Sequence, residues 1–151
     1  DHVGIVIGTD GSRVYTVEGN SGDLCLFTDE NVKDLLTVGA NIMLDSVKSA
    51  FVEAGHSNVS RARRTGETYR HISKSRSVKK DKHGVPYMQV TISGKDSRKQ
   101  RYATKGFVLN YGRRTGGKIT PDYYWSNAVK NTWQRVNDAM AEVAARKLKG
   151  E

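Results

Sequence analysis

The chain has 151 residues, 36% hydrophobic and 27% charged, enough for one compact domain with a small appendage and a modest core. Its single cysteine, Cys25, excludes an internal disulfide framework and a cysteine zinc cluster, and no stretch reads as a bilayer span or a secretory leader, so no membrane partner is expected. The formal net charge of +9 is uneven: positions 56 to 118 hold 17 Lys and Arg against Glu67, Asp81 and Asp96, a balance of +14, while the rest holds 8 basic against 13 acidic residues, a balance of −5.

The chain begins at Asp1 rather than Met, which reads as a processed or truncated start. The β-branched runs VGIVI (3 to 7) and RVYTVE (13 to 18), separated by Thr-Asp-Gly-Ser, predict a β-hairpin that leaves through the Gly19-Asn20-Ser21-Gly22 loop. Thr28 then reads as an N-cap, Asp29 and Glu30 as first-turn acids. Val32, Leu35, Leu36, Met43, Val47, Phe51 and Ala54 form the apolar stripe of a helix closed by Gly55. Gly39 inside that stripe costs about 1 kcal/mol against Ala and marks a bend or a close helix contact.

A basic loop follows to Arg64, and three antiparallel strands are predicted beyond it. The first lies in RTGETYRHISKSRSV. The second is VPYMQVTIS, with Met88, Val90 and Ile92 on one face. The third is RYATKGFVLNYG, with Phe107, Leu109 and Tyr111 on one face. The last element is a helix capped by Thr120, with Pro121 in first position, the stripe Trp125, Val129, Trp133, Val136, Met140 and Val143, and a stop at Gly150. The expected fold class is α+β: an antiparallel sheet of about three strands, two long helices packed on one face, and the N-terminal hairpin in front.

The stretch DHVGIVIGTDGSRVYTVEGN resembles the C-terminal half of a CHAP domain, the cysteine, histidine-dependent amidohydrolase/peptidase of cell-wall cleavage. The resemblance makes His2 the general base and Glu18 and Asn20 the groups that orient it. The family's nucleophilic cysteine lies upstream of the histidine, where this chain has only Asp1, and Cys25 comes after the motif. Residues 1 to 25 are therefore expected to be a CHAP-like appendage or remnant without catalysis.

Residues 27 to 150 resemble the neck and tail-completion proteins of long-tailed bacteriophages. The resemblance rests on the order of a long first helix, RTGETYRHIS, YATKGFVLNYGRRTG and a closing helix headed by aromatics. It departs from the family at KITPDYYW, where a more proline-rich approach to the last helix is usual. The resemblance implies that residues 26 to 151 form a structural, non-enzymatic domain of the virion, built in the host cytoplasm into a homo-oligomeric ring. The ring would dock on connector and tail-tube proteins at the head–tail joint or tail terminus.

Physical chemistry offers the same region a second reading as a nucleic-acid binder, since basic loops alternate with strands carrying Tyr69, Tyr87, Tyr102 and Tyr111. A truncated peptidoglycan hydrolase is the other alternative. The interface candidates are Arg63, Arg64, Lys79, Lys80, Arg98, Arg101, Arg113, Arg114, Trp125 and Trp133. No cofactor and no metal site are expected, because His56, His71 and His83 lack ligand spacing.

Overall fold

The computed structural model describes residues 4–9, 14–18, 28–56 and 66–149. The class is α+β. Strands β1 (Gly4–Thr9) and β2 (Val14–Glu18) pair antiparallel from Gly4↔Glu18 to Thr9↔Val14, with an irregularity between Val6 and Gly8. The loops around this hairpin lie outside the described residues.

Helix α1 (Asp29–Glu53) starts as its sequence dictates. The Thr28 side chain accepts from the Asn31 N–H at 3.2 Å, and Asp29 and Glu30 sit in the positive end of the helix dipole. It ends at Ala54, and Gly55 follows at φ +73°, a conformation only glycine adopts without strain. Leu35, Leu36, Ala40, Met43, Val47 and Phe51 are its buried stripe. The most apolar 18-residue stretch has a mean hydropathy of 1.3, so by length and composition alone the helix is able to cross a bilayer, contrary to the expectation that no stretch would. In this fold it is the central helix, and its stripe faces α4 (Tyr124–Leu148).

The two long helices make the main contact of the molecule. Gly39 is where they come closest: a Cβ there would lie 2.7 Å from Met140 Sδ and 3.2 Å from Val136 Cγ1. Close packing, rather than a bend, accounts for the glycine. A hydroxyl pair, Ser46 with Thr132, bridges the same interface.

One predicted strand is not a strand, and the first is shorter than its segment. Part of RTGETYRHIS forms a short helix, α2 (Glu67–Arg70), before β3 (Ile72–Lys74), with Gly66 at φ +70° letting the chain turn into it. RYATKGFVLNYG, expected to be the third strand, is helix α3 (Tyr102–Tyr111). The expected three-stranded sheet is replaced by one long, irregular arm folded between α2 and α3.

The arm consists of two ladders in line. Its base pairs β3 with β6 (Val90–Ile92) antiparallel, from Ile72↔Ile92 to Lys74↔Val90. Its outer part pairs β4 (Lys79–Lys80) with β5 (Pro86–Tyr87), with the register slipped in between. Ser75 and Gln89 connect the two: Ser75 N–H donates to the Gln89 carbonyl at 2.8 Å, and Gln89 N–H donates to Ser75 Oγ at 3.0 Å. Met88 and Ile92 are buried as the alternation predicts, and with Ile72 they anchor the arm in the core against α1 and α3.

Helix α4 begins three residues later than expected. Thr120 and Pro121 are not its cap and first position; the preceding residue is Tyr123, in a left-handed conformation at φ +56°. Its caps come from elsewhere. Asp122 Oδ1 accepts from the Tyr124 N–H at 3.0 Å. Asn110 Oδ1, from the last turn of α3, accepts from Trp125 N–H at 2.8 Å and from Ser126 N–H at 3.3 Å. The buried stripe of α4 is Tyr124, Ala128, Thr132, Val136, Met140 and Val143, so its first half is rotated from the expected Trp125–Val129–Trp133 line.

Candidate docking surface

The residues proposed from sequence fall into three groups. His2, Asn20, Arg63 and Arg64 lie outside the described residues, and Glu18 is placed only as the last residue of β2. Lys79, Lys80, Arg98, Arg101, Arg113 and Arg114 are all exposed. Trp125 and Trp133 are half-buried and line the seam between α1 and α4 beside Gly39, Met43 and Met140, a cavity of about 40 Å³. Their rings support the helix pair more than they face outward.

Two of the basic loops are each shaped by one carboxylate. At the tip of the arm, Asp81 Oδ1 accepts from the N–H groups of His83 (2.8 Å) and Val85 (2.9 Å). At the approach to α3, Asp96 Oδ1 accepts from the N–H groups of Arg98 (2.9 Å) and Gln100 (2.9 Å), and its Oδ2 takes the Lys105 ammonium at 2.6 Å. Both loops close with the same main-chain bonds, Asp81 N–H to Val85 carbonyl and Asp96 N–H to Gln100 carbonyl. They are two copies of one turn, presenting Lys82 and His83 in the first and Arg98 and Lys99 in the second.

The carboxyls respond accordingly. The Lys105 ammonium, then the Gln100 and Arg98 N–H groups, hold Asp96 below the usual carboxylate range against a small opposing effect of burial. The Val85 N–H does the same for Asp81, helped by His83. The third acid of the basic centre, Glu67, accepts from Arg70 at 2.7 Å. All three acids are thus engaged in local bonds, leaving the surrounding cations to set the outward field.

Beside the second loop, α3 carries a patch that strand-based reasoning could not find. Tyr102, Gly106 and Asn110, each four residues apart, are its buried side. That rotation turns Phe107 and Tyr111 outward, 62% and 44% exposed, with ring centroids 4.7 Å apart. Tyr123, 48% exposed, adds a third ring edge-on to Tyr111 at 6.4 Å. Arg113 and Arg114 follow directly in the chain. The Arg113 guanidinium is held by the carbonyls of Gly116 (2.7 Å) and Gly117 (3.2 Å), which fixes its charge on the loop that follows α3.

Behind the patch the support is stiff. Tyr124 packs edge-on to Phe51 at 5.3 Å and to the ring of His56 at 5.4 Å. His56 Nε2 pairs with Asp122 and so ties the end of α1 to the start of α4. Burial, with the Asp122 charge nearby, pushes the Tyr124 phenol far above its usual value, so it stays a neutral donor, 3.4 Å from the Gly106 carbonyl.

Among the described residues there is no group of three or more His, Cys, Asp or Glu side chains placed to hold a metal ion. No family model, curated protein or solved structure matches the chain.

Proposed function

We propose that the chain is a structural component of a phage or prophage particle at the head–tail joint or tail terminus. It works by assembly rather than catalysis: copies close into a ring that docks on the connector and the tail tube. The observation that carries this reading is the cluster of exposed rings, Phe107, Tyr111 and Tyr123, with the exposed Arg113 and Arg114 next in the chain after α3. Exposed rings beside arginines are the composition of an interface centre, and large side chains of this kind supply most of the binding energy where partners meet. The long helix α1 and the aromatic-headed helix α4 support this reading, whereas YATKGFVLNY, expected as a strand, is helix α3.

A second reading has its own observation. The tip of the arm exposes Lys79 and Lys80 of β4 and Lys82 of the turn that follows, a spacing that suits phosphate neutralisation. In a neck protein the same tip would face the genome's path or an acidic neighbouring ring.

The deciding experiment is native mass across a salt series, with electron micrographs of the largest species, in the presence and absence of tail-tube protein. A ring, formed alone or on addition of the tube protein, supports assembly. A monomer that ignores the tube protein and binds duplex DNA refutes it and favours the second reading.

A further inference from the structure

The aromatic patch needs a partner, and the acidic side of the same chain offers one. Helix α1 carries Asp29, Glu30, Asp34, Asp45 and Glu53 against only Lys33 and Lys48, in a protein of net charge +9. Lys147 pairs with Asp34 at 3.0 Å. Asp45, Ser49, Val52 and Glu53 are exposed and fall on one face of the helix at i, i+4, i+7 and i+8. With Lys48 and Tyr69 they line a groove of about 390 Å³, apolar along Val52, itself 47% exposed, carrying Asp45 and Glu53 and, between them in sequence, Lys48, whose ammonium lies 5.3 Å over the Tyr69 ring.

We propose that this groove receives the Phe107–Tyr111 patch of a second copy of the chain. The inference rests on the assembly reading and names its self-contact. Charge favours this pairing: Arg113 and Arg114 follow the patch in the chain and are exposed, and the groove, with Asp45 and Glu53 against Lys48, is net acidic. Patch against patch would set two pairs of arginines face to face, which disfavours a symmetric dimer through that surface. The patch belongs to α3 and the start of α4, and the groove to α1 and α2, so the surfaces do not overlap. Each copy then donates one patch and receives another, the head-to-tail geometry from which rings are built.

The test uses the full chain and two sets of variants, each checked for wild-type helical content by circular dichroism. F107S with R114Q disables the patch; D45K with E53K disables the groove, and D45N with E53Q is its milder counterpart. Wild type should self-associate at low salt. Each disabled variant should be at least about 30-fold weaker in self-association, the loss expected for an interface hot spot. An equimolar mixture of the patch-disabled and groove-disabled variants should form a dimer and nothing larger, because one intact patch meets one intact groove.

If wild type assembles and both variants assemble equally well, the assembly reading survives and this contact is overturned. If both variants lose assembly but their mixture forms no dimer, patch and groove do not meet each other. A wild type that remains monomeric at every concentration and salt, or joins only an acidic protein other than itself, also overturns the self-contact. The first of these takes unaided self-assembly down with it.

Discussion

Replacing Asn110 by Ala should destabilise the protein out of proportion to the size of the side chain. Asn110 is 2% exposed and joins α3 to α4. Its Oδ1 accepts two N–H groups at the start of α4, and its Nδ2 donates to Ser126 Oγ at 3.0 Å. Loss of an N-cap costs about 0.5–2 kcal/mol, and a part-buried donor left unpaired about 1–3 kcal/mol. These overlap, so the expected total is about 2–3 kcal/mol, or a fall in Tm of about 4–12 °C for a domain of this size. Asn110→Asp keeps the acceptor and should lose less. Thermal unfolding followed by far-ultraviolet circular dichroism measures both. If Asn110→Ala stays within about 0.5 kcal/mol of wild type, the Asn110 cap is not what holds the start of α4.

Gly106→Ala tests the fit between α3 and the arm. The new Cβ would lie 2.3 Å from Ile92 Cδ1 and 3.1 Å from Tyr124 Oη. Overpacking of about 1–3 kcal/mol should exceed the helix-propensity gain of about 1 kcal/mol. Ile92→Val removes the clashing methyl, so denaturant unfolding of the double variant should show a favourable coupling of at least about 0.5 kcal/mol; simple additivity would contradict the assigned contact. Acid should also destabilise the fold through Asp81 and Asp96. Their folded-state pKa values are depressed, so their contribution is present above the ordinary Asp value of about 4 and lost as pH falls through the lower folded values. Asp96→Asn should flatten that loss in a series of Tm against pH, and an unchanged slope would exclude the Lys105 pairing as its source.

Helix α1 was legible because every signal agreed: a Thr cap, first-turn acids, seven apolar residues at helical spacing and a closing glycine. Helix α3 was not. Its buried side is Tyr102, Gly106 and Asn110, and two of these three are invisible to a search for apolar periodicity. Phe107, Leu109 and Tyr111 alternate, so they read as one face of a strand; in the helix, Phe107 and Tyr111 point to solvent. The same happened in the first half of α4. Ala128 and Thr132 sit inside, Thr132 against Ser46 of α1, while the larger Trp125 and Trp133 line the seam. The aromatic patch could be found only after α3 was known to be a helix. The exposed basic residues, which depend on composition rather than period, were visible from the outset.

The paired turns at Asp81 and Asp96 separate shape from message. Each backbone path is dictated by a carboxylate and main-chain groups, and the side chains of Lys82, Arg98 and Lys99 take no part in those bonds. Substitution at these positions can therefore rewrite the charge shown to a partner without redrawing the loop. Lys99 is the exception in one respect, since its φ of +62° restricts replacements to residues that tolerate a left-handed backbone, chiefly Gly, Asn and Asp. A lineage bearing such turns could change docking partners by drift at a few surface codons while its architecture stayed fixed.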